Sequence, residues 1–201
     1  MWSGLGDDSI LSSAITVRVY LANRPPMAPY DQLAEPLPLQ AGEVYSIAQH
    51  TGNHWRKIFN VYAKLMHAFL EQAPQIKTND TRLNALLSTW EPHATWQSYR
   101  DAVLLQQGSC VQLRFSAPVA KECLDGRSIN IIMGKGYAEQ LGFPCAPPNT
   151  VADTHGEFAF YKQDNVLVCP YFDYRQLSNA KIDILVGLMW QALHAAQQEG
   201  Q

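Results

Sequence analysis

The chain has 201 residues, of which 47% are hydrophobic and 16% charged, with a formal net charge of −3. That length suits one domain able to bury a sizeable core. The weakly acidic balance excludes a generally basic nucleic-acid binder and leaves room only for a local basic patch.

Four cysteines, Cys110, Cys123, Cys145 and Cys169, are scattered with no C-x-x-C pair. They point to free thiols in a reducing compartment. The first residues carry Asp7 and Asp8 and lack the basic region of a signal peptide. The most apolar window, residues 182–196, is too short and interrupted to span a bilayer. A soluble, cytoplasmic protein with no membrane partner is expected.

Residues 1–14 are polar and rich in glycine and serine, and read as a flexible arm. Residues 15–201 read as a single domain. Residues 15–22 alternate Val17, Val19 and Leu21 on one side, as a half-buried strand does. The loop that follows, from Asn23 and Arg24, holds Pro25, Pro26 and Pro29 within five positions, which forbids both ladder and helix. A short helix is predicted over 42–49. Asn53 is placed to cap a longer one, whose apolar positions Trp55, Ile58, Phe59, Tyr62, Leu65, Met66 and Phe69 repeat at helical spacing. Its first turn carries His54, Arg56 and Lys57. Cations there oppose the helix dipole, so they are either a solvated turn or part of an anion site with the free N–H groups.

Asp80 or Thr81 can cap a short helix reaching Trp90, and Thr95 a helix over 95–107 closed by Gly108. Residues 111–115 read as a strand, and a short turn or helix with Lys121 and Glu122 follows. Residues 128–133 are nearly all apolar, as a strand buried on both faces should be. Gly134-Lys135-Gly136 turns that strand into a short helix. Residues 158–161 and 166–169 flank Gln163-Asp164-Asn165 and read as a hairpin. A polar, aromatic loop, Pro170 to Arg175, then leads through Leu177, Ser178 and Asn179 into a final helix reaching about Gln198. Strand and helix alternate, which predicts an α/β fold: a three-layer αβα sandwich with a mainly parallel central sheet.

Gly134-Lys135-Gly136 lacks the spacing of a phosphate-binding or dinucleotide loop and reads as a tight turn. The six histidines form no ligand cluster, so no metal is expected. G-x-S-x-G is absent, and with it the usual serine-hydrolase elbow. The loop after the last strand is the expected place for a ligand, since open α/β sheets bind at the carboxyl ends of their strands. Tyr171, Phe172 and Tyr174 alternate there with Asp173 and Arg175. These side chains either cover the sheet end and form a surface ion pair or line a ligand crevice.

Five segments carry a resemblance. They are the strand leading into Asn23-Arg24-Pro25-Pro26; Asn53-His54-Trp55-Arg56-Lys57; residues 109–118; Ile131-Ile132-Met133-Gly134-Lys135-Gly136-Tyr137-Ala138; and the loop from Pro170 to Asn179. In order and spacing they resemble the uracil-DNA glycosylase superfamily, especially its mismatch-specific uracil/thymine branch. The resemblance implies a uracil-DNA-glycosylase-like fold, DNA as a partner, no cofactor, and excision or binding of a flipped nucleobase. On that reading Asn23 and Asp173 are the catalytic candidates, Asp173 as a relocated base. Arg24, Tyr45, Asn53, His54, Lys135, Tyr171, Tyr174, Arg175, Ser178 and Asn179 are the binding candidates. Two of the chain's departures from the family pattern fall in the loops of the expected site. Arg24 stands where the family has its water-positioning Asn directly before Pro, and Tyr-Phe-Asp-Tyr-Arg replaces the family's Pro-Ser-Gly loop. A catalytically inactive member of the fold, binding nucleic acid, a nucleotide or a protein through the same crevice, is the alternative.

Overall fold

The structure is a computed structural model, and it describes residues 2–9, 14–75, 80–89, 91–145 and 156–198. Seven strands form one mixed sheet: β1 (Gly4–Gly6), β2 (Thr16–Tyr20), β3 (Pro36–Leu37), β4 (Val111–Arg114), β5 (Ser128–Met133), β6 (Ala159–Tyr161) and β7 (Val166–Cys169). The helices are α1 (Glu43–Thr51), α2 (Asn53–Gln72), α3 (Thr81–Thr89), α4 (Trp96–Ala102), α5 (Ala120–Cys123), α6 (Lys135–Gln140) and α7 (Asn179–Gln198).

The sheet order is β3-β1-β4-β2-β5-β7-β6. Its centre, β4-β2-β5-β7, is all parallel. Both flanks turn antiparallel, at β1 against β4 and at β6 against β7. The expected hairpin is the β6–β7 pair.

Alternation along each strand splits the interior in two. Val17, Val19, Ile129, Ile131, Met133, Leu167 and Cys169 join the larger core, under α1, α2, α4 and α7. Tyr20, Ile132, Val166 and Val168 join a smaller one with Cys123 of α5 and Ala138 of α6. Strands covered on both faces are nearly all apolar, as β5 and β7 are. The α/β class, the mostly parallel sheet and the helices on both faces agree with the sequence reading.

Three local expectations change. The stretch read as an arm supplies β1, whose Leu5 is fully buried. A Cβ on Gly4 would lie 2.1 Å from the Leu113 carbonyl oxygen, so only glycine lets the two backbones approach this closely. Trp2 packs over the Arg114 guanidinium, 4.4 Å from its ring centre, and the Phe115 N–H donates to the Ser3 carbonyl. The α2 helix begins at Asn53 itself, after Gly52, with no side-chain cap. Asn53 Oδ1 instead accepts from Arg56 Nη2 at 2.7 Å. The α4 helix is capped by Thr95 through a reciprocal box with Ser98 but stops at Ala102 rather than Gln107. Val103 leaves the helical path at φ −133, and Leu105 beyond it is left-handed at φ 62. The expected end of α3 at Trp90 lies outside the described residues.

Candidate functional site

The chain leaves β2 toward α1 and α2 on one face. It leaves β5 toward α6 on the other, and β7 toward α7 back on the first. Neighbouring parallel strands whose exits diverge open a crevice at their carboxyl ends. A cleft of about 740 Å³ lies there, lined by the exits of all three strands. Its walls include Asn23 after β2, Gly134, Lys135, Tyr137 and Gln140 around α6, and Tyr171, Arg175, Gln176 and Lys181 around the loop before α7.

That last loop is held from below and from the side. Phe172 is fully buried, 5.6 Å from the Tyr62 ring, and Leu177 is buried as well. The Gln176 and Leu177 N–H groups both donate to the Asp173 carbonyl, closing a tight turn. Asp173 Oδ2 accepts from Lys57 Nζ of α2 at 2.6 Å, and its Oδ1 accepts from the Arg175 N–H. The hydrogen bond from Lys57 holds the Asp173 carboxyl below its ordinary range, and the Arg175 N–H adds to this. With Phe172 and Leu177 turned inward, Tyr171, Tyr174 and Arg175 project.

Tyr171 joins the first and last loops. Asn23 Nδ2 donates to its hydroxyl at 3.4 Å, and His54 Nε2 lies 3.1 Å from the same oxygen, with the two rings stacked at 5.5 Å. Beneath it, Gly134 sits at φ 95. A Cβ there would come within 3.0 Å of the Tyr171 ring, so the glycine seats the ring against the end of β5. Burial raises the Tyr171 and Tyr137 phenols, so both remain neutral donors at neutral pH. Three cations edge the cleft. Lys181 is paired with Glu157 at 2.8 Å, Lys135 donates to the Gly156 carbonyl, and Arg175 lies over the Tyr174 ring. Among the described residues of the lining Glu157 is the only carboxylate, against the three cations Lys135, Arg175 and Lys181.

Of the residues expected at a site, Asn23, Lys135, Tyr171 and Arg175 line the cleft, and His54 and Tyr174 adjoin it through Tyr171 and Arg175. The others go elsewhere. Arg24 donates to the Leu33 carbonyl and to Ser3 Oγ with its guanidinium over Phe115, so it ties loops together. Asp173 is a strut to Lys57 outside the lining, which removes it from the place a water-activating base would occupy. Asn53 is bonded to Arg56, and Asn179 Oδ1 accepts from Lys64 at 3.5 Å. The Ser178 carbonyl accepts the Ile182 N–H of α7. Tyr45 borders a separate hollow of about 220 Å³ with Arg56 and Arg100. Sequence reading passed over Tyr137, Gln140, Glu157, Gln176 and Lys181. Lys181 was within reach, as a cation in the first turn of the helix that follows the loop.

Among the described residues no group of three or more His, Cys, Asp or Glu could hold a metal ion, and no helix is long and apolar enough to cross a membrane. The four cysteines are buried and form no disulfide, and burial pushes the Cys110 thiol up to about 12. The arrangement offers flat aromatic surface, amide groups and cationic edges, which suits a planar ligand carrying negative charge.

A family model matches residues 4–190, and the chain belongs to that family, a family of unknown function (DUF6942). No curated protein and no solved structure matches.

Proposed function

For this member of a family whose function is unknown, we propose a divergent, uracil-DNA-glycosylase-like protein that binds an unstacked nucleobase of a nucleic-acid strand and does not cleave it. One observation carries the reading. The two loops that bear the resemblance, after β2 and before α7, meet at the Asn23–Tyr171 contact on the edge of a cationic cleft. Asn23 or Gln140 would read the base edge, the Tyr171 ring would stack on it, and Arg175 and Lys135 would take the flanking phosphates. Lys57 of α2 and Arg175 both lie over the Tyr174 ring, which gathers cations beside the cleft against an overall charge of −3. Binding rather than cutting is favoured because Asp173 is committed to Lys57 and Glu157 to Lys181, which leaves no free carboxylate among the described residues of the lining to activate water.

Fluorescence anisotropy with single strands and with U·G, T·G and etheno-cytosine duplexes tests the binding. Arg175→Ala is expected to weaken it and to reduce the slope of log affinity against log salt by about 0.7 to 0.9, one phosphate's worth. No binding, or an unchanged slope, overturns the nucleic-acid reading. An abasic product from any of these duplexes at stoichiometric protein overturns the claim that the strand is left intact.

A further inference from the structure

The first turn of α2 sends its cations to two different places. His54 and Lys57 turn toward the loop before α7, to Tyr171 and Asp173. Arg56 and Asn60, four residues apart on another face of the helix, border the hollow of about 220 Å³ between α1, α2 and α4. Arg100 of α4 joins them there.

Amides hold both arginines at this hollow. Arg56 Nη2 donates to Asn53 Oδ1 at 2.7 Å, and Arg100 Nη1 donates to Asn60 Oδ1 at 2.6 Å. An amide oxygen orients a guanidinium without neutralising it. Elsewhere in the chain Arg18, Arg82 and Arg114 each pair with a carboxylate. Arg56 forms no ion pair among the described residues, and the bond to Asn53 is the one its guanidinium makes there. Arg100 is paired with Asp101, which lies outside the lining. Two guanidiniums thus meet one carboxylate, which leaves one positive charge over. No Asp or Glu stands among the described residues of the lining. Like charges on one small hollow repel, and an anion between them relieves this. The hollow also has apolar surface, from buried Val44 and Phe59 and from Ala48, with Tyr45 exposed at its rim.

We propose that this hollow binds a small monoanion, a carboxylate carried on a single planar ring. Arg56 takes the carboxylate as a two-pronged pair, Arg100 is the second cation, and the ring lies against Val44, Ala48 and Phe59. The planar fork of a guanidinium matches carboxylate geometry. The volume of about 220 Å³ is about one and a half times the roughly 150 Å³ that admits a benzene, which accommodates a ring and its carboxylate. One surplus charge balances a monoanion. A dianionic phosphate would leave negative charge uncompensated beside apolar walls.

Benzoate is the probe. Benzamide is its neutral isostere, acetate the same anion without a ring, and phenyl phosphate a dianion on the same ring. Ligand-observed NMR titrations on the full chain should place benzoate about tenfold or more above benzamide and acetate, and above phenyl phosphate. Arg56→Gln should weaken benzoate about tenfold, to the level of benzamide. Its melting temperature should be unchanged, because Arg56 is exposed. Ala48→Leu fills the hollow, leaves both guanidiniums in place, and should abolish benzoate binding. Arg175→Ala, in the cleft, should leave benzoate unaffected. Benzoate no tighter than benzamide, or phenyl phosphate tighter than benzoate, would sink the proposal. Binding that survives Ala48→Leu, or that follows Arg175→Ala in place of Arg56→Gln, would put the carboxylate elsewhere and overturn it equally.

Discussion

Tyr62, over the strand pair β2–β4, and Tyr99, beside the turn into β4, are buried to the same degree, at 0% and 1% exposure. Burial pushes both phenols well above their ordinary value. Their hydroxyls meet different surroundings. The Tyr62 hydroxyl lies 3.2 Å from the Val17 carbonyl oxygen and 3.1 Å from that of Gln112, so one O–H is shared between two parallel strands. The Tyr99 hydroxyl is shut away from solvent, with the Ser109 side chain beside it and no well-formed hydrogen bond among the described residues. Burial alone therefore does not separate a polar group that ties strands together from one that leaves its bonding capacity largely unused. The partner makes the distinction. The same contrast divides the arginines: Arg114 and Arg24 are spent on the chain itself, while Arg175 forms no ion pair among the described residues and borders the cleft.

The strongest test on the structural side is Arg114, 3% exposed. Its Nε and Nη2 donate to Gln112 Oε1, its Nη1 pairs with Glu122, and its guanidinium lies between the Trp2 and Tyr20 rings. Gln112 in turn donates to the Asp7 carbonyl, which holds the N-terminal strand in place. Arg114→Met leaves a buried amide oxygen unpaired and a carboxylate without its partner. A loss of about 3 kcal/mol is expected, read as a lower urea midpoint. A loss under about 1 kcal/mol would mean that Arg114 is not built into the fold as its contacts imply.

Tyr62→Phe is expected to cost less, about 1 to 2 kcal/mol, because the two carbonyls lose a shared donor but keep their strand bonds. It bears directly on the comparison. If Tyr62→Phe costs no more than Tyr99→Phe, then a well-bonded and a poorly bonded buried phenol are equivalent here. The contrast between the two hydroxyls would then fail.

The legible part of this molecule was what repeats locally. The strands β2, β4, β5 and β7 announced themselves by alternation or by continuous apolar runs, and α2 and α7 by their apolar stripes. The strand β1 did not, because Gly4-Leu5-Gly6 has no β-branched or alternating pattern. Its signal is the absence of a Cβ where two backbones nearly touch. The position of the cleft at the strand exits was legible from topology. The fate of its charges was not. Lys57 and Asp173 are 116 residues apart in sequence, and Arg24 reaches back 21 residues to Ser3, so no local pattern tells a strut from a ligand contact.

Asp173 gives the smallest and most discriminating effect. Its pKa is depressed in the folded chain, chiefly by the hydrogen bond from Lys57. The stability this contributes is present above the unfolded value of about 3.9 and is lost as pH falls through the lower folded value. The pair is partly solvated, with side chains 17% and 21% exposed, so the gain is small. Asp173→Asn should therefore be slightly less stable than the parent at neutral pH. The difference between the two should shrink below about pH 4. Thermal melts of both chains from pH 3 to 7 read this, and oligonucleotide affinity over pH 5 to 7 supplies the second half. A strut predicts affinity that is lowered evenly across that range, through a loosened loop. A base or contact group titrating near neutrality would instead make the affinity ratio itself change with pH, and would return Asp173 to the cleft from which its bond to Lys57 excludes it.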